Sequence, residues 1–375
     1  MAEKEFDYSV ADSQGTSIKP IDTADFDIAE YQDYESQLLE QNRKFWLAES
    51  GIAIYRRFRV PEVFSYGCKD MKFSLGLQLA ALQESMKFKA DVANFLEPWY
   101  GLGAVASCFG INYQWPDGQA PAIKKAFENV NEALDCKLVP AEQTAIGKHV
   151  LEMIEYFLDK TQGKIPMSFT DTQSSMNASS FIVDINNFFL SLFDDPEALK
   201  KLLDTMTDSL IDFTKIQADL IGDALVYPGH GFTSSRVFTG LGMSDDVMIM
   251  LSPDQYSEFC APSMARSGEP FGGAVFHSCG NWSSKINGVK SISNLVMVDG
   301  AFSKETDPDP NPAEPFAESF SGTNVVVNAR IVGDRDVVVD TVKKLYKPPM
   351  KLIVVTYCQT PEEQADVYEK IHAIA

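Results

Sequence analysis

Short apolar runs recur along this chain, and most are followed by a stretch with helical spacing. The runs at 93–98 (ANFLEP), 164–170 (KIPMSFT), 223–228 (DALVYP), 246–251 (DVMIML), 273–278 (GAVFHS), 294–298 (NLVMV), 324–330 (NVVVNAR) and 351–357 (KLIVVTY) read as strands. Several are continuously apolar, as a parallel strand covered on both faces requires. The run at 246–251 reads equally well as a helical turn. Between the runs, DDPEALKKLLDTMTDSLIDF has an Asp cap, Pro196 at its first helical position and one apolar face from Leu199 to Phe213. Two further helices open with capping boxes, Ser252 with Gln255 and Thr360 with Glu363. Eight strands separated mainly by helices predict an α/β fold, a (β/α)8 TIM barrel with insertions after the early strands. The alternative is an open doubly wound sheet, but no Gly-rich turn follows an early strand.

Two segments fall outside this pattern. Residues 1–35 are acidic, poor in apolar groups and interrupted by Gly15 and Pro20. They read as a loosely ordered extension, or a strap over the body, before a single barrel domain at 36–375. The stretch ETDPDPNPAEP, 305–315, carries prolines at near-alternate positions and must be a surface loop.

Charge narrows the partners. Lys plus Arg total 32 against 53 Asp plus Glu, a formal charge of −21. Such a surface repels phosphate backbones and anionic lipid, which argues against nucleic acid and membrane partners. An anionic ligand held in a local basic pocket stays compatible with it. No run approaches the length of a membrane span, and the N-terminus lacks the basic flank and apolar block of a signal peptide. The expected location is cytoplasmic. Six cysteines are sparse for 375 residues and read as thiols, ligands or core residues rather than a disulfide framework.

The candidate chemistry lies in GGAVFHSCGNW, 272–282. Residues two apart on a strand share a face, so His277 and Cys279 would project together if the strand continued that far. They would do so from its C-terminal end, where barrels place their chemistry. Cys358 ends the last strand in KLIVVTYCQTPEE, at the same rim. Two thiolates and an imidazole suit Zn2+ with one open position. The bland alternative is a polar strand exit and cysteines buried as small apolar residues.

HSCGN following LSPDQYSEFCAPSMARSG resembles the uroporphyrinogen decarboxylase superfamily, as do IPMSFTDTQSSMNASSFI, EPWYGLGAVASCFG and the closing YCQTPEEQADVYEKI. The similarity spans roughly 90–375 and implies a (β/α)8 barrel. The superfamily's decarboxylases carry an Arg motif near the N-terminus; RRFRVPEVFSYGCKDMKFSL does not reproduce it, although Arg56, Arg57 and Arg59 cluster there. The corrinoid-linked methyltransferase branch binds zinc through H-x-C and a distant Cys, and His277, Cys279 and Cys358 match that pattern. The resemblance therefore implies a zinc-dependent methyltransferase working with a methylated corrinoid. No D-x-H-x-x-G segment of corrinoid carriers is present, so the expected partner is a separate corrinoid-binding protein. The other substrate would be a small-molecule thiol or a methylated compound.

Supporting catalytic residues are nominated from the same reading: Asp245 and Asp246 in GMSDDVM, and Asp171 at the end of the 164–170 strand. Each reads equally as a cap or turn former. His230 in YPGHGF is a possible pocket contact, more simply a surface-loop residue; Trp99 and Tyr100 would pack the barrel top. His149 and His372 lie on predicted helices with no partner identified. The rival activity is a cofactor-independent decarboxylase of uroporphyrinogen or a related polycarboxylate. It would require several cationic side chains to converge on the cavity, and only Arg236, Arg266 and Arg330 lie near predicted strand ends. A barrel that keeps the pocket without its chemistry is the third possibility.

Overall fold

The computed structural model describes residues 14–374; the first thirteen residues of the expected extension lie outside the described residues. Strand β1 (Gly51–Arg56) opens the barrel, and a two-stranded antiparallel hairpin, β2 (Tyr113–Gln114) and β3 (Ala122–Ile123), rises from the first long insertion. The remaining staves are β4 (Leu241–Ser244), β5 (Ala274–His277), β6 (Leu295–Ala301), β7 (Val326–Arg330) and β8 (Lys351–Thr356). Apart from the hairpin, these form one parallel sheet in the order β1-β8-β7-β6-β5-β4.

The arc is completed by an irregular sector. Met167 bridges Leu96 on one side and Leu225 on the other, both in parallel sense. The Asp91 amide donates to the Ile54 carbonyl at 2.8 Å, and Ser244 pairs with Gln173, which joins the sector to β1 and β4. The runs at 93–98, 164–170 and 223–228 thus take their places in the α/β barrel without forming regular ladders. Each contains or ends on a proline, Pro98, Pro166 and Pro228, which has no amide to donate.

Two strand assignments change. β1, GIAIYR, was not among the eight runs read as strands; its apolar stretch is brief and gives way at once to RRFR. The run at 246–251 is a 3₁₀ turn, Asp246–Met250, and the stave lies just before it. That stave, LGMS, was obscured by its glycines. Gly240 holds φ at +107°, and a Cβ on Gly242 would lie 2.4 Å from the Phe232 ring.

Alternation along the staves separates two cores. Val275, Met297, Val326, Ile353, Val355 and Tyr357 fill the barrel interior. Their neighbours Phe276, Val298, Val327, Leu352 and Val354 face the surrounding helices. The longest helix, Pro196–Ile221, buries Leu199, Leu202, Leu203, Met206, Leu210 and Phe213 as its apolar face requires. Each such side chain stabilises the fold by about 1.5–3 kcal/mol on transfer from water.

The segment before the barrel is a strap. Gly15 pairs with Arg59, the Ile21 amide donates to the Gly76 carbonyl, and helix Ile28–Leu47 follows. Its Tyr31 hydroxyl donates to the Asn94 carbonyl at 2.6 Å, and Glu35 accepts from Arg236 at 2.7 Å. The boundary expected at residue 35 falls inside this helix. Among the described residues, no helix is long and apolar enough to cross a membrane.

Candidate active site

The C-terminal ends of the strands surround a cavity of about 460 Å³. His277 reaches it because it continues the inward set of β5, two residues beyond Val275. Register then sets its neighbour: His277 is paired across the sheet with Asp299 of β6, and Asp299 with Asn328 of β7. His277 Nδ1 donates to Asp299 Oδ2 at 2.5 Å. Asp299 also accepts from Asn328 Nδ2 at 2.6 Å and Arg330 Nε at 3.0 Å. Burial alone would raise the Asp299 carboxyl, but Arg330, His277 and Asn328 hold it down at about 2. Burial would likewise depress His277, yet its hydrogen bonds to Asp299 and Cys279 raise it to about 10. Nδ1–H faces the carboxylate, and Nε2, also protonated in the metal-free site, points the other way.

Nε2 faces two further donors. Cys279 Sγ lies 3.6 Å from it and Asp246 Oδ1 3.7 Å. Asp246 Oδ1 also accepts the Cys279 amide at 2.8 Å. One donor atom from each of Asp246, His277 and Cys279 lies within 4.8 Å of the other two. Tetrahedral zinc with Zn–N near 2.0 Å and Zn–S near 2.3 Å separates its ligands by roughly 3.5 Å. The donor set therefore fits a zinc ion with one position open, and Asp299 supplies the outer carboxylate that such a histidine needs. The loop bearing Cys279 is fixed from behind: the Gly280 amide donates to Asp307 Oδ2 at 2.9 Å, and Asn311 Oδ1 accepts the Trp282 amide at 2.9 Å. Asp307 and Asn311 both belong to the proline-rich 305–315 segment.

Cys358 does not join this group. It is 2% exposed and packs among the residues that face the helices, where burial pushes its thiol up to about 12. Parity explains the placement. Ile353, Val355 and Tyr357 point inward, so Cys358 points outward; a place at the strand end does not by itself fix the phase.

The nominated aspartates divide. Asp246 stands with His277 and Cys279. Asp245, one residue earlier, is fully buried beside Ser174, Tyr256 and Cys260. Burial lifts its carboxyl to about 7, with Asp246 adding to the effect against the pull of the two hydroxyls. Asp171 does line the cavity, in a second cluster. There His230 donates from Nδ1 to Glu97 at 2.5 Å and reaches Asp171 from Nε2 at 3.2 Å. Trp99 Nε1 and Gln173 Nε2 donate to Asp171, and Arg57 lies 3.6 Å from Glu97. Burial opposes charge on both members, yet Asp171 and Glu97 raise His230 to about 9, while His230 and Arg57 bring Glu97 down to about 2.

Three guanidiniums, from Arg57, Arg59 and Arg330, also line the cavity. Of the arginines flagged near strand ends, only Arg330 arrives: Arg236 pairs with Glu35, and Arg266 with Asp204 and Asp208 outside. Glu97 and Asp299 are not among the expected site residues, and the one sign each leaves in the sequence is a lone carboxylate at the end of an apolar run. His372, left without a partner, meets buried Asp91 at 2.9 Å. His149 stacks on Tyr100, ring centroids 3.7 Å apart.

The sequence model of the uroporphyrinogen decarboxylase (URO-D) family matches residues 79–303. The chain belongs to the uroporphyrinogen decarboxylase family. The matched span runs from the first helix of the barrel through β6 and contains the Glu97–Asp171–His230 cluster and all three donors around His277. A solved structure, a methyltransferase from Methanosarcina mazei, superposes with a TM-score of 0.55 at 15% identity, covering 79% of this chain and 83% of that one. At that identity the likeness is one of fold. A search of curated proteins returned no match.

Proposed function

We propose that this family member is a zinc-dependent methyltransferase that moves a methyl group between a corrinoid carried by another protein and a thiol or other small acceptor. The observation that carries the reading is the convergence of His277 Nε2 and Cys279 Sγ on an open barrel mouth, with Asp299 behind the imidazole. Family membership and the shared fold of the Methanosarcina mazei methyltransferase add support. Zinc held here would keep a substrate thiol as the thiolate, against a free thiol pKa of about 8.5.

The chain's own residues supply the rest. Asp299 holds a proton at Nδ1, so Nε2 is the nitrogen that would give up its proton to a metal ion. Arg330 and Asn328 fix Asp299 in turn. Phe64, Trp99, Leu102 and Phe232 make apolar walls that limit water around the reacting atoms. Across the cavity Arg57 and Arg59 offer positive charge to an anionic end of the small substrate, while the His230 imidazolium is balanced by Glu97 and Asp171. In a chain of net charge −21 that concentration is local, and it selects the substrate rather than the surface.

A second reading, decarboxylation of a polycarboxylate, is favoured by the same three arginines. Metal analysis with two assays separates them. Methyl transfer predicts about one zinc per chain, methylation of a thiol from methylcobalamin, and loss of both in Cys279→Ala. Metal-free protein that releases carbon dioxide from uroporphyrinogen would overturn the methyltransferase reading.

A further inference from the structure

We infer that the third protein donor to the metal is the carboxylate of Asp246, and that Cys358 takes no part in holding it. This rests on the zinc reading above and concerns which of the chain's residues grip the ion.

The register of β8 carries the first half. Ile353, Val355 and Tyr357 belong to the barrel interior, while Leu352, Val354 and Cys358 belong to the layer beneath the helices. Parallel pairing with β1 and β7 fixes that phase along the whole strand, from Gly51↔Lys351 to Arg56↔Thr356 on one side. Turning the sulfur inward by a one-residue slip would exchange the two layers and bury Lys351 differently along with every other side chain of the strand. A local reversal at 357–358 would instead pull the Tyr357 ring out of the interior. It would also break the 2.7 Å bond from Arg56 Nε to the Cys358 carbonyl.

The position of Asp246 carries the second half. It opens the 3₁₀ turn that follows β4, next to β5 in the sheet, so its carboxylate and the His277 imidazole leave neighbouring staves at the same rim. The turn is anchored from below by the Val247 amide, which donates to Asn177 Oδ1 at 3.2 Å. Oδ1 of Asp246 is held by the Cys279 amide and faces His277 Nε2. Carboxylate, imidazole and thiolate are all ordinary zinc donors. One thiolate and one carboxylate leave a divalent ion with no net charge in its shell, as two thiolates would. The set is harder, however, with one sulfur in place of two, so oxygen-preferring divalent ions compete better for it.

The test counts sulfurs in the full-length protein loaded with Zn2+. X-ray absorption at the zinc edge is expected to show one sulfur at about 2.3 Å, the remaining ligands being nitrogen or oxygen. Loading with Co2+ should give a thiolate charge-transfer band of the strength of one sulfur. Chelator competition should leave zinc affinity in Cys358→Ala near wild type. In Asp246→Ala the loss should exceed the roughly 10–100-fold cost of removing an outer-shell partner. Two sulfurs in the wild-type spectrum, or zinc lost from Cys358→Ala and kept by Asp246→Ala, would overturn the assignment and leave methyl transfer standing. Wild-type protein that binds no zinc removes the methyl-transfer reading and this assignment together.

Discussion

Two histidines face the same cavity and are held in opposite ways. His277 gives one ring nitrogen to a carboxylate and turns the other toward Cys279 and Asp246. His230 has a carboxylate at each nitrogen, Glu97 on one side and Asp171 on the other. What stands at the second nitrogen, and how closely, decides what the imidazole can do. At His277 one carboxylate holds Nδ1–H at 2.5 Å, while Nε2 faces a thiol and a carboxylate at 3.6 and 3.7 Å, far enough for an ion to take the place of its proton. At His230 both nitrogens donate directly to buried carboxylates, so the ring is a cation already balanced by Glu97 and Asp171 and has no nitrogen left for an ion. The barrel supplies both positions; the neighbours make them different.

The sharpest way to break the contrast is to remove a metal donor on the His277 side. Cys279→Ala is expected to abolish zinc retention and, with it, methyl transfer to a thiol, while leaving thermal stability close to wild type because the side chain is exposed. Zinc content and a methylcobalamin assay on the folded variant check this. Full zinc occupancy in that variant would refute a role for the thiol.

Asp299→Asn keeps the shape and removes the charge that orients His277. Zinc affinity should fall roughly 10–100-fold, as when other outer carboxylates are neutralised. The variant should also be less stable, because buried Arg330 loses its anion. Chelator competition and thermal melting read the two effects separately. Unchanged affinity would mean that packing alone orients the ring.

On the other side of the cavity the readout is pH. His230 is raised from 6.5 to about 9, so its contribution to stability is complete below 6.5 and fades as pH rises through 9. Glu97 is lowered from 4.5 to about 2, so its contribution is complete above 4.5 and fades as pH falls toward 2. The pair therefore stabilises the fold fully between about 4.5 and 6.5. His230→Gln should flatten the alkaline limb of a melting-temperature profile between 6.5 and 9, with zinc content unaltered. A wild-type profile that is flat across that range, matching the variant, would mean that His230 is not a fixed cation.

How much of this could be seen in the sequence follows from the kind of signal each part leaves. The barrel was legible because buried parallel strands are written as unbroken apolar runs, and the helices between them carry caps and stripes. β4 was not legible, since Gly240 and Gly242 are there for backbone conformation and close approach rather than hydrophobicity. The pair His277 and Cys279 was legible from its H-x-C spacing, although the strand ends at His277 and Cys279 stands on the loop that follows. Asp299 became their neighbour through register between strands, which no local pattern records. Cys358 shows the converse: a residue at the correct end of a strand, with the phase that faces it away. His230 reads from the sequence only as a possible pocket contact or a surface-loop residue, because its two carboxylates come from 97 and 171.

The smallest expected effect probes how far the support of the His277 side extends. The Gly280 amide donates to Asp307, which lies in the proline-rich loop and makes no direct contact with the donor atoms described above. Gly280 itself holds φ at +71° with open space around its Cα, so the turn after Cys279 is kept by that hydrogen bond and by Asn311 rather than by packing. Removing the carboxylate leaves a partly exposed amide that water can satisfy, which limits the cost to the low end of about 1–3 kcal/mol. Asp307→Ala is therefore expected to weaken zinc binding by no more than about threefold to tenfold in chelator competition, since 1.4 kcal/mol corresponds to a factor of ten. His230 has no such distant anchor in the loop, and its pH profile should not move. A shift in that profile in Asp307→Ala would mean that the two halves of the cavity are mechanically coupled, and the contrast between them would have to be redrawn as one network.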